Sequence, residues 1–233
     1  MLAIIGLVIV FVGVFMGYTL AGGKMAIIIK ALPFETMMIG GAAVGAFVIS
    51  NSKTGIKHTA HGFKLAFKGS KWKKEDYVGL LTLLFALTKL MKTKGLVAVE
   101  QHIEKPEDSE IFADYPKILK DHYAVDLICD SIRMMTMDMT DAMQFEDSIE
   151  KKLEKIKHEE MHGSHSLQTM ADGLPALGIV AAVLGVIKTM GSINEPPEIL
   201  GKMIGGALTG TFLGVFLSYG MVAPFATRVS EVV

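Results

Sequence analysis

Apolar and charged residues are segregated along this chain rather than interspersed. Residues 2–20 contain no charge, and the run is about as long as a bilayer core requires. Residues 36–50, 174–190 and 203–223 are also dominated by apolar and small residues. We therefore predict four membrane-spanning helices at these positions. No lysine or arginine precedes the first run, which favours a retained span over a cleaved signal peptide.

The polar part of the chain lies between the second and third apolar runs. Residues 52–168 hold 37 of the 47 charged residues, and their apolar positions recur at helical spacing. This pattern predicts helices over 76–94, 114–137 and 141–157. The predicted fold class is all-α: a polytopic membrane protein with four transmembrane helices and a helical cytoplasmic domain between the second and third. The predicted domains are 1–51, 52–168, 169–226 and, as the start of a cytoplasmic tail, 227–233.

Basic residues set the predicted orientation. The second span is followed by a lysine cluster: Lys53, Lys57, Lys64, Lys68, Lys71, Lys73 and Lys74. Lys24 and Lys30, on the other side of that span, are a weaker opposing signal. Because basic residues favour the cytoplasmic side of a membrane, the charged middle and both termini are predicted to be cytoplasmic. Arg228, after the last span, agrees with this orientation.

Net charge and cysteine usage narrow the possible functions. The net charge of -1 leaves no basic excess to neutralise phosphates, so nucleic acid is not expected as a partner. Cys129 is the single cysteine. One cysteine forms no internal disulfide, which is consistent with a reducing compartment.

The last two spans form a predicted hairpin in which neither span carries a carboxylate at membrane depth. Gly206, Gly210 and Gly214 recur every fourth residue, so they share one helix face and form a groove for another helix. Pro175 and Pro224 lie near the predicted cytoplasmic ends of the two spans. Each proline is open to two interpretations, a helix boundary or a hinge, because proline frees a backbone carbonyl.

One short motif suggests a metal site. His158 and His162 enclose Glu159 in the spacing H-E-x-x-H, which binds zinc in metalloproteases. Four lysines precede the motif, and Gly163 is expected to end its helix directly afterwards. The pattern therefore favours a solvated helix end with no metal, while a membrane zinc metalloprotease stays open as an alternative of another class.

Several longer motifs carry a family resemblance. They are DGLPALGIVAAVLGV from Asp172, GTFLG from Gly210, YG at Tyr219, AP at Ala223, KGLVAVEQHIEKP from Lys94 and SEIFADYP from Ser109. Together with the order of two spans, charged middle and two spans, they resemble the MotA family of flagellar motor stator subunits. The resemblance covers nearly the whole chain.

The resemblance implies a non-enzymatic function with no cofactor. It implies a pentameric ring of these subunits in the bacterial inner membrane, surrounding a MotB-like single-span partner that supplies the ion-carrying aspartate. Ion flow, most consistent with protons, would drive torque on a rotor switch protein that meets the cytoplasmic domain. The alternative is an ExbB- or TolQ-like proton-driven energiser of outer-membrane processes, against which the first pair of spans argues.

The same resemblance assigns roles residue by residue. Pro175 and Pro224 match prolines that couple ion flow to movement, Thr211 matches a threonine that faces the ion site, and Tyr219 matches a neighbouring tyrosine. Ala182 stands where sodium-driven relatives carry threonine, which favours protons.

Two charges match the family's rotor-facing torque residues. Glu100 matches the acidic one. Lys92 stands where the family usually has arginine, so it keeps the charge without the planar fork, and Lys89 and Lys94 are candidates for the same role.

Overall fold

The structure, a computed structural model, describes residues 2–69, 71–136 and 142–232, and the regular structure in that part of the chain is helical without a strand. The α-helices are α1 Leu2–Leu20, α2 Met25–Ser50, α3 Lys53–Lys68, α4 Lys74–Lys94, α5 Leu96–Glu104, α6 Glu110–Ala113, α7 Pro116–Leu119, α8 His122–Thr136, α9 Ala142–Met190, α10 Pro197–Leu217 and α11 Ala223–Val232. A 3₁₀ turn spans Pro106–Asp108, and a π-helical segment spans Ser218–Val222. The predicted all-α fold is confirmed.

The chain divides into two compact units. The membrane unit contains residues up to 70 and from 160 onwards, and the insert unit contains residues 71–159. Four helical stretches are long and apolar enough to cross a bilayer: Leu2–Leu20, Met25–Ser50, Ala142–Met190 and Pro197–Val232. Four membrane helices were predicted, and the first has the predicted bounds.

The second membrane helix begins earlier than predicted. The predicted spans 2–20 and 36–50 leave residues 21–35 as a connecting loop, but most of this segment is helix, because α2 starts at Met25 and continues through Pro33. A proline within a membrane helix is tolerated where neighbouring helices support the freed backbone groups. The longer helix places Glu35, which the prediction left outside the span, within α2 and 5% exposed.

Gly163 does not end a helix, contrary to the prediction. The helix α9 runs unbroken from Ala142 to Met190 and includes Pro175. A methyl group built at Gly163 would lie 3.1 Å from the Cα atom of Thr59 in α3. Glycine at this position therefore permits close approach of two helices.

The membrane unit includes α3, which the prediction assigned to the charged domain 52–168. Ala66, Leu167, Ala226 and Val229 form a small core shared by α3, α9 and α11. The Ser164 hydroxyl adds a buried hydrogen bond of 2.8 Å to the carbonyl oxygen of Ala226. These contacts explain why residues 52–69 and 160–168 pack with the membrane helices.

The insert unit has its own hydrophobic core. Its fully buried side chains include Leu83 and Leu87 of α4, Val99 of α5 and Phe112 of α6. The predicted helix 76–94 lies within α4. The predicted helix 114–137 is interrupted between α7 and α8, where a carboxylate oxygen of Asp121 accepts a hydrogen bond from the Ala124 amide at 3.2 Å and starts a new helix. Residues 137 and 141, at the ends of two predicted helices, lie outside the described residues.

Candidate ion pathway and coupling site

The helices α9 and α10 meet backbone to backbone through glycine. A methyl group built at Gly178 would lie 2.8 Å from the carbonyl oxygen of Gly210, and one built at Gly214 would lie 2.6 Å from that of Leu174. Small residues allow this close packing in lipid, where van der Waals contact drives helix association. The groove predicted at Gly210 and Gly214 is therefore filled by α9 of the same chain.

The third residue of the predicted groove, Gly206, faces α2. Its nearest neighbour is the Cβ atom of Ala31, 3.9 Å from a methyl group built there. Gly210 and Gly214 thus pack against α9 within one chain, and Gly206 lies beside α2 and is half-buried. The assignment of these glycines to packing against a partner helix stays a prediction, because their spacing alone does not distinguish an internal neighbour from an external one.

A buried carboxylate lies next to this glycine face, and the sequence prediction missed it. A methyl group built at Gly210 would lie 2.5 Å from Glu35 Oε2 and 3.2 Å from the backbone nitrogen of Ala182. Among the described residues, no group hydrogen-bonds to that buried oxygen. An acidic residue within a membrane helix is a functional signal by default. It was missed because α2 was predicted to start after it.

Glu35 also lines a cavity of about 470 Å³ between α2, α9 and α10. Lys30, Lys188 and Lys202 contribute to the lining, together with Thr189. All three lysines are exposed, whereas Glu35 is buried. The cavity therefore combines a basic rim with one buried acidic group.

The predicted ion-pathway residues differ in accessibility. Tyr219 is 67% exposed, and Ala182 and Thr211 are half-buried. The Thr209 hydroxyl donates to the carbonyl oxygen of Gly205 at 2.9 Å, which is the usual arrangement in a membrane helix. No hydrogen bond from the Thr211 hydroxyl to another described residue is found. Within the described part of the chain, the hydroxyl groups of Thr211 and Tyr219 thus have no hydrogen-bond partner.

The predicted coupling proline Pro224 follows an irregular helical turn. The amide of Ala223 donates to the carbonyl oxygen of Ser218 within the π-helical segment. Proline lacks an amide proton, and its ring clashes with the carbonyl four residues earlier, so the wider turn removes that clash. The Ser218 side chain is fully buried, with no hydrogen-bond partner for its hydroxyl in the described chain.

Space is available beside Pro224. This residue lines a cavity of about 410 Å³ whose other walls come from α1, the π-helical segment and α11. Pro175 lies in α9 next to Leu174, whose carbonyl oxygen is the group that excludes a side chain at Gly214. Pro175 lies inside α9 and marks no helix boundary, whereas Pro224 is the second residue of α11, directly after the π-helical segment. The hinge role of the two prolines stays a prediction.

The two candidate torque charges lie in the insert unit, near one sharp turn. Gly95 has a φ of +86°, a conformation that favours glycine, and it joins α4 to α5. Lys92 precedes this turn and Glu100 follows it, and both side chains are exposed. Lys89 and Lys94 are exposed as well. The structure leaves all four charges accessible to a partner.

The H-E-x-x-H residues have other contacts. Glu159 accepts a hydrogen bond of 3.5 Å from the Tyr123 hydroxyl, and His162 lies against Gly55 and 3.4 Å from the Ser166 hydroxyl. In the described part of the chain, no group of three histidine, cysteine or acidic side chains is placed to hold a metal ion.

Comparisons with known proteins agree with this architecture. Residues 4–95 match the motility protein A N-terminal domain, and residues 120–233 match the MotA/TolQ/ExbB proton channel family. Over 227 residues the chain is 38% identical to motility protein A of Salmonella typhimurium (strain LT2), covering 97% of this chain and 76% of that protein. Motility protein A of Escherichia coli (strain K12) gives the same identity and coverage. Chemotaxis protein LafT of Vibrio parahaemolyticus is 35% identical, covering 97% of this chain and 79% of LafT.

Two solved structures share the fold. The C. jejuni MotAB structure superposes with a TM-score of 0.70 at 20% identity, over 99% of this chain and 81% of that one. The flagellar MotAB stator complex from Bacillus subtilis gives a TM-score of 0.69 at 23% identity, over 98% and 81% of the two chains.

The fold and these matches define a class: a multi-pass inner-membrane subunit of the proton channel type, rather than an enzyme. The ExbB- or TolQ-like alternative would account for the match over residues 120–233 but not for the match over 4–95. Identity of 38% over nearly the whole chain shows that it belongs to the motility protein A family of flagellar motor stator subunits. The predicted family and stator function are confirmed, and the metalloprotease alternative was wrong.

Proposed function

We propose that this chain forms a proton channel with a MotB-like single-span partner, whose aspartate carries the ion, and that Pro175 and Pro224 convert ion transfer into movement. The observation that carries the proposal is the structural surroundings of the two prolines. One lies inside an unbroken helix beside a backbone contact with α10, and the other follows a π-helical turn and borders a cavity. Both are places where a small change in packing can be absorbed.

The accessible residues of the hairpin support a partner that brings the charge. Thr211 and Tyr219 offer hydroxyl groups and Ala182 offers none, which supports protons over larger ions. Each proton that crosses yields about 2.3 kcal/mol per 100 mV of potential. A surface ion pair contributes less than about 1 kcal/mol, so one proton is sufficient to break and remake such a contact.

The proposed assembly is a pentameric ring in lipid around the partner helices. Open glycine pairs support lateral packing between copies, because methyl groups built at Gly13, Gly17, Gly41 and Gly45 would meet nothing within 4 Å. Such pairs, spaced by four, allow close helix approach in membranes. The lysines after α2 support an orientation with both termini and the insert unit in the cytoplasm.

The rotor-facing contact is assigned to Lys92 and Glu100, with Lys89 and Lys94 as neighbours. Their exposure supports a meeting with charges on the rotor switch protein. Charge reversal at both positions, Lys92→Glu with Glu100→Lys, is expected to impair swarming while leaving assembly with the partner intact. Normal motility of the double variant would remove these residues from torque generation.

A second experiment tests the hinge. Pro175→Ala restores an amide that can donate to the carbonyl oxygen of Ala171, so α9 becomes stiffer at this point. We expect rotation to stop while the complex with the partner still copurifies. Free rotation of the Pro175→Ala motor would show that the hinge is not needed.

A further inference from the structure

The helix α4 has one face in the core of the insert unit and one open face that is apolar at its centre. Leu83 and Leu87 are fully buried. Leu81 and Phe85 lie on the other side of the same helix and are 68% and 64% exposed. Leucine and phenylalanine at this exposure, side by side, mark a surface that a partner covers.

The open face continues to the candidate torque residue. Leu81, Phe85 and Lys92 are separated by four and seven residues, which places them on one side of a helix with 3.6 residues per turn. The full open face consists of Lys74, Tyr77, Val78, Leu81, Phe85, Thr88, Lys89 and Lys92, all of them exposed. A partner that meets Lys92 along this helix therefore also meets Phe85 and Leu81.

The charges on this face have one sign. Lys74 lies at one end and Lys89 and Lys92 lie at the other, and the face carries no carboxylate. The Lys89 ammonium lies 6.0 Å from the centre of the Phe85 ring, so basic and apolar groups adjoin. On α5, Val97 is 80% exposed and precedes Glu100 by three residues, which repeats the pairing of a charge with an exposed apolar side chain.

We propose that the open face of α4 is a docking surface for a rotor helix with an apolar centre and carboxylates at the end that meets Lys89 and Lys92. This inference rests on the proposed rotor contact of Lys92 and deepens it. Charge complementarity selects the partner, because a face with lysines and no acid favours an acidic surface. The aromatic and aliphatic side chains supply the anchor, as buried aromatic residues do at the centre of protein interfaces.

Thiol labelling tests whether the rotor covers this face. Phe85→Cys introduces an accessible thiol in the full chain, assembled with its membrane partner. The native Cys129 is buried, and its burial raises the pKa of the thiol to about 11, so it reacts poorly with maleimide at neutral pH. Thr93→Cys is the control, because Thr93 is exposed on the same helix about a quarter of a turn away from the centre of the open face, beyond its Lys89 edge.

The expected result is fast labelling of Phe85→Cys in membranes that lack the rotor and about tenfold slower labelling in membranes that contain it, as if nine in ten thiols were covered. The Thr93→Cys control should change less. Three results would overturn the proposal. They are equally fast labelling in both membranes, slow labelling in both with a disulfide between copies, and slow labelling in both that becomes fast in detergent, which would assign the face to the bilayer.

Motility separates this inference from the proposed function on which it rests. Phe85→Ser is expected to lower torque at unchanged stator assembly, as Lys92→Glu with Glu100→Lys does. Normal torque of Phe85→Ser beside a defective charge-reversal variant would overturn the docking surface and leave the torque charges in place. Normal torque of both would overturn the rotor contact itself.

Discussion

Gly210 lies between α2, α9 and α10 with no space for a side chain. A methyl group there would lie 2.5 Å from Glu35 Oε2 and 3.2 Å from the Cβ atom of Ala181. Gly210→Ala should therefore lower the free energy of unfolding by about 1–3 kcal/mol, the usual cost of overpacking. Thermal unfolding of the purified chain in detergent, compared with the wild type, measures the change.

Gly201→Ala is the control for this prediction. It lies in the same helix, is exposed, and a methyl group built there meets nothing within 4 Å. Alanine is favoured over glycine in a helix by up to about 1 kcal/mol, so this variant should be neutral or slightly more stable. Equal melting temperatures for the two variants would contradict the packing argument.

Asp76 gives the insert unit a pH-dependent stability. The hydrogen bond from the Lys117 ammonium, followed by that from the Lys73 amide, lowers the pKa of the Asp76 carboxyl. Since the folded-state pKa is below the unfolded value of about 3.9, the stabilisation is complete above that pH and is lost as the pH falls through the folded-state pKa. Asp76→Asn should thus be less stable at neutral pH, and its difference from the wild type should shrink in acid. A melting-temperature difference that is constant from pH 7 to about 3 would refute the assignment.

At the scale of helices, the sequence predicts spans well where apolar runs contain no proline or lysine and poorly where such residues interrupt them. The bounds of α1 agree with the prediction because its run has neither proline nor charge, and its glycines do not break the helix. The start of α2 was missed because Lys30 and Pro33 are local loop signals, whereas neighbouring helices decide the outcome. Gly163 was misread for the same reason, since its role depends on Thr59, which is about a hundred residues away.

The π-helical segment makes a prediction for Pro224. In Pro224→Ala the new amide can donate to the carbonyl oxygen of Gly220, so Ser218–Val222 can return to regular α-helix. That change rotates the residues after it, including Val229, against α3. We expect loss of motility with unchanged copurification of the partner, measured by swimming assays and pull-down.

Pro197→Ala is the matched control. Pro197 is the first residue of α10, where a missing amide proton leaves no hydrogen bond unmade. This variant should swim like the wild type. Equal defects in the two variants would mean that proline in general, rather than the π-helical turn, determines the result.

At the scale of the whole molecule, the sequence predicts the candidate residues of the last two spans but not the residues of other helices that lie beside them. Pro175, Ala182, Thr211, Tyr219 and Pro224 were found through motifs in the last two spans. Glu35 belongs to the second span and reaches Gly210 only through the folded arrangement of α2 and α10. Long-range packing of this kind leaves no pattern in the local sequence.

Glu35 raises the question whether this chain or its MotB-like partner carries the proton. The last two spans lack a carboxylate at membrane depth, and the Glu35 oxygen beside Gly210 is buried without a partner among the described residues. We therefore expect the purified chain alone, in liposomes loaded with a pH-sensitive dye and held at a potassium-set membrane potential, to pass no protons above the lipid background. Addition of a MotB-like partner freed for conduction should create a flux, and replacing the partner's aspartate should abolish it. A flux from the chain alone that disappears in Glu35→Gln would instead identify Glu35 as the carrier, because the only buried acidic group of the described spans would then be sufficient for transfer.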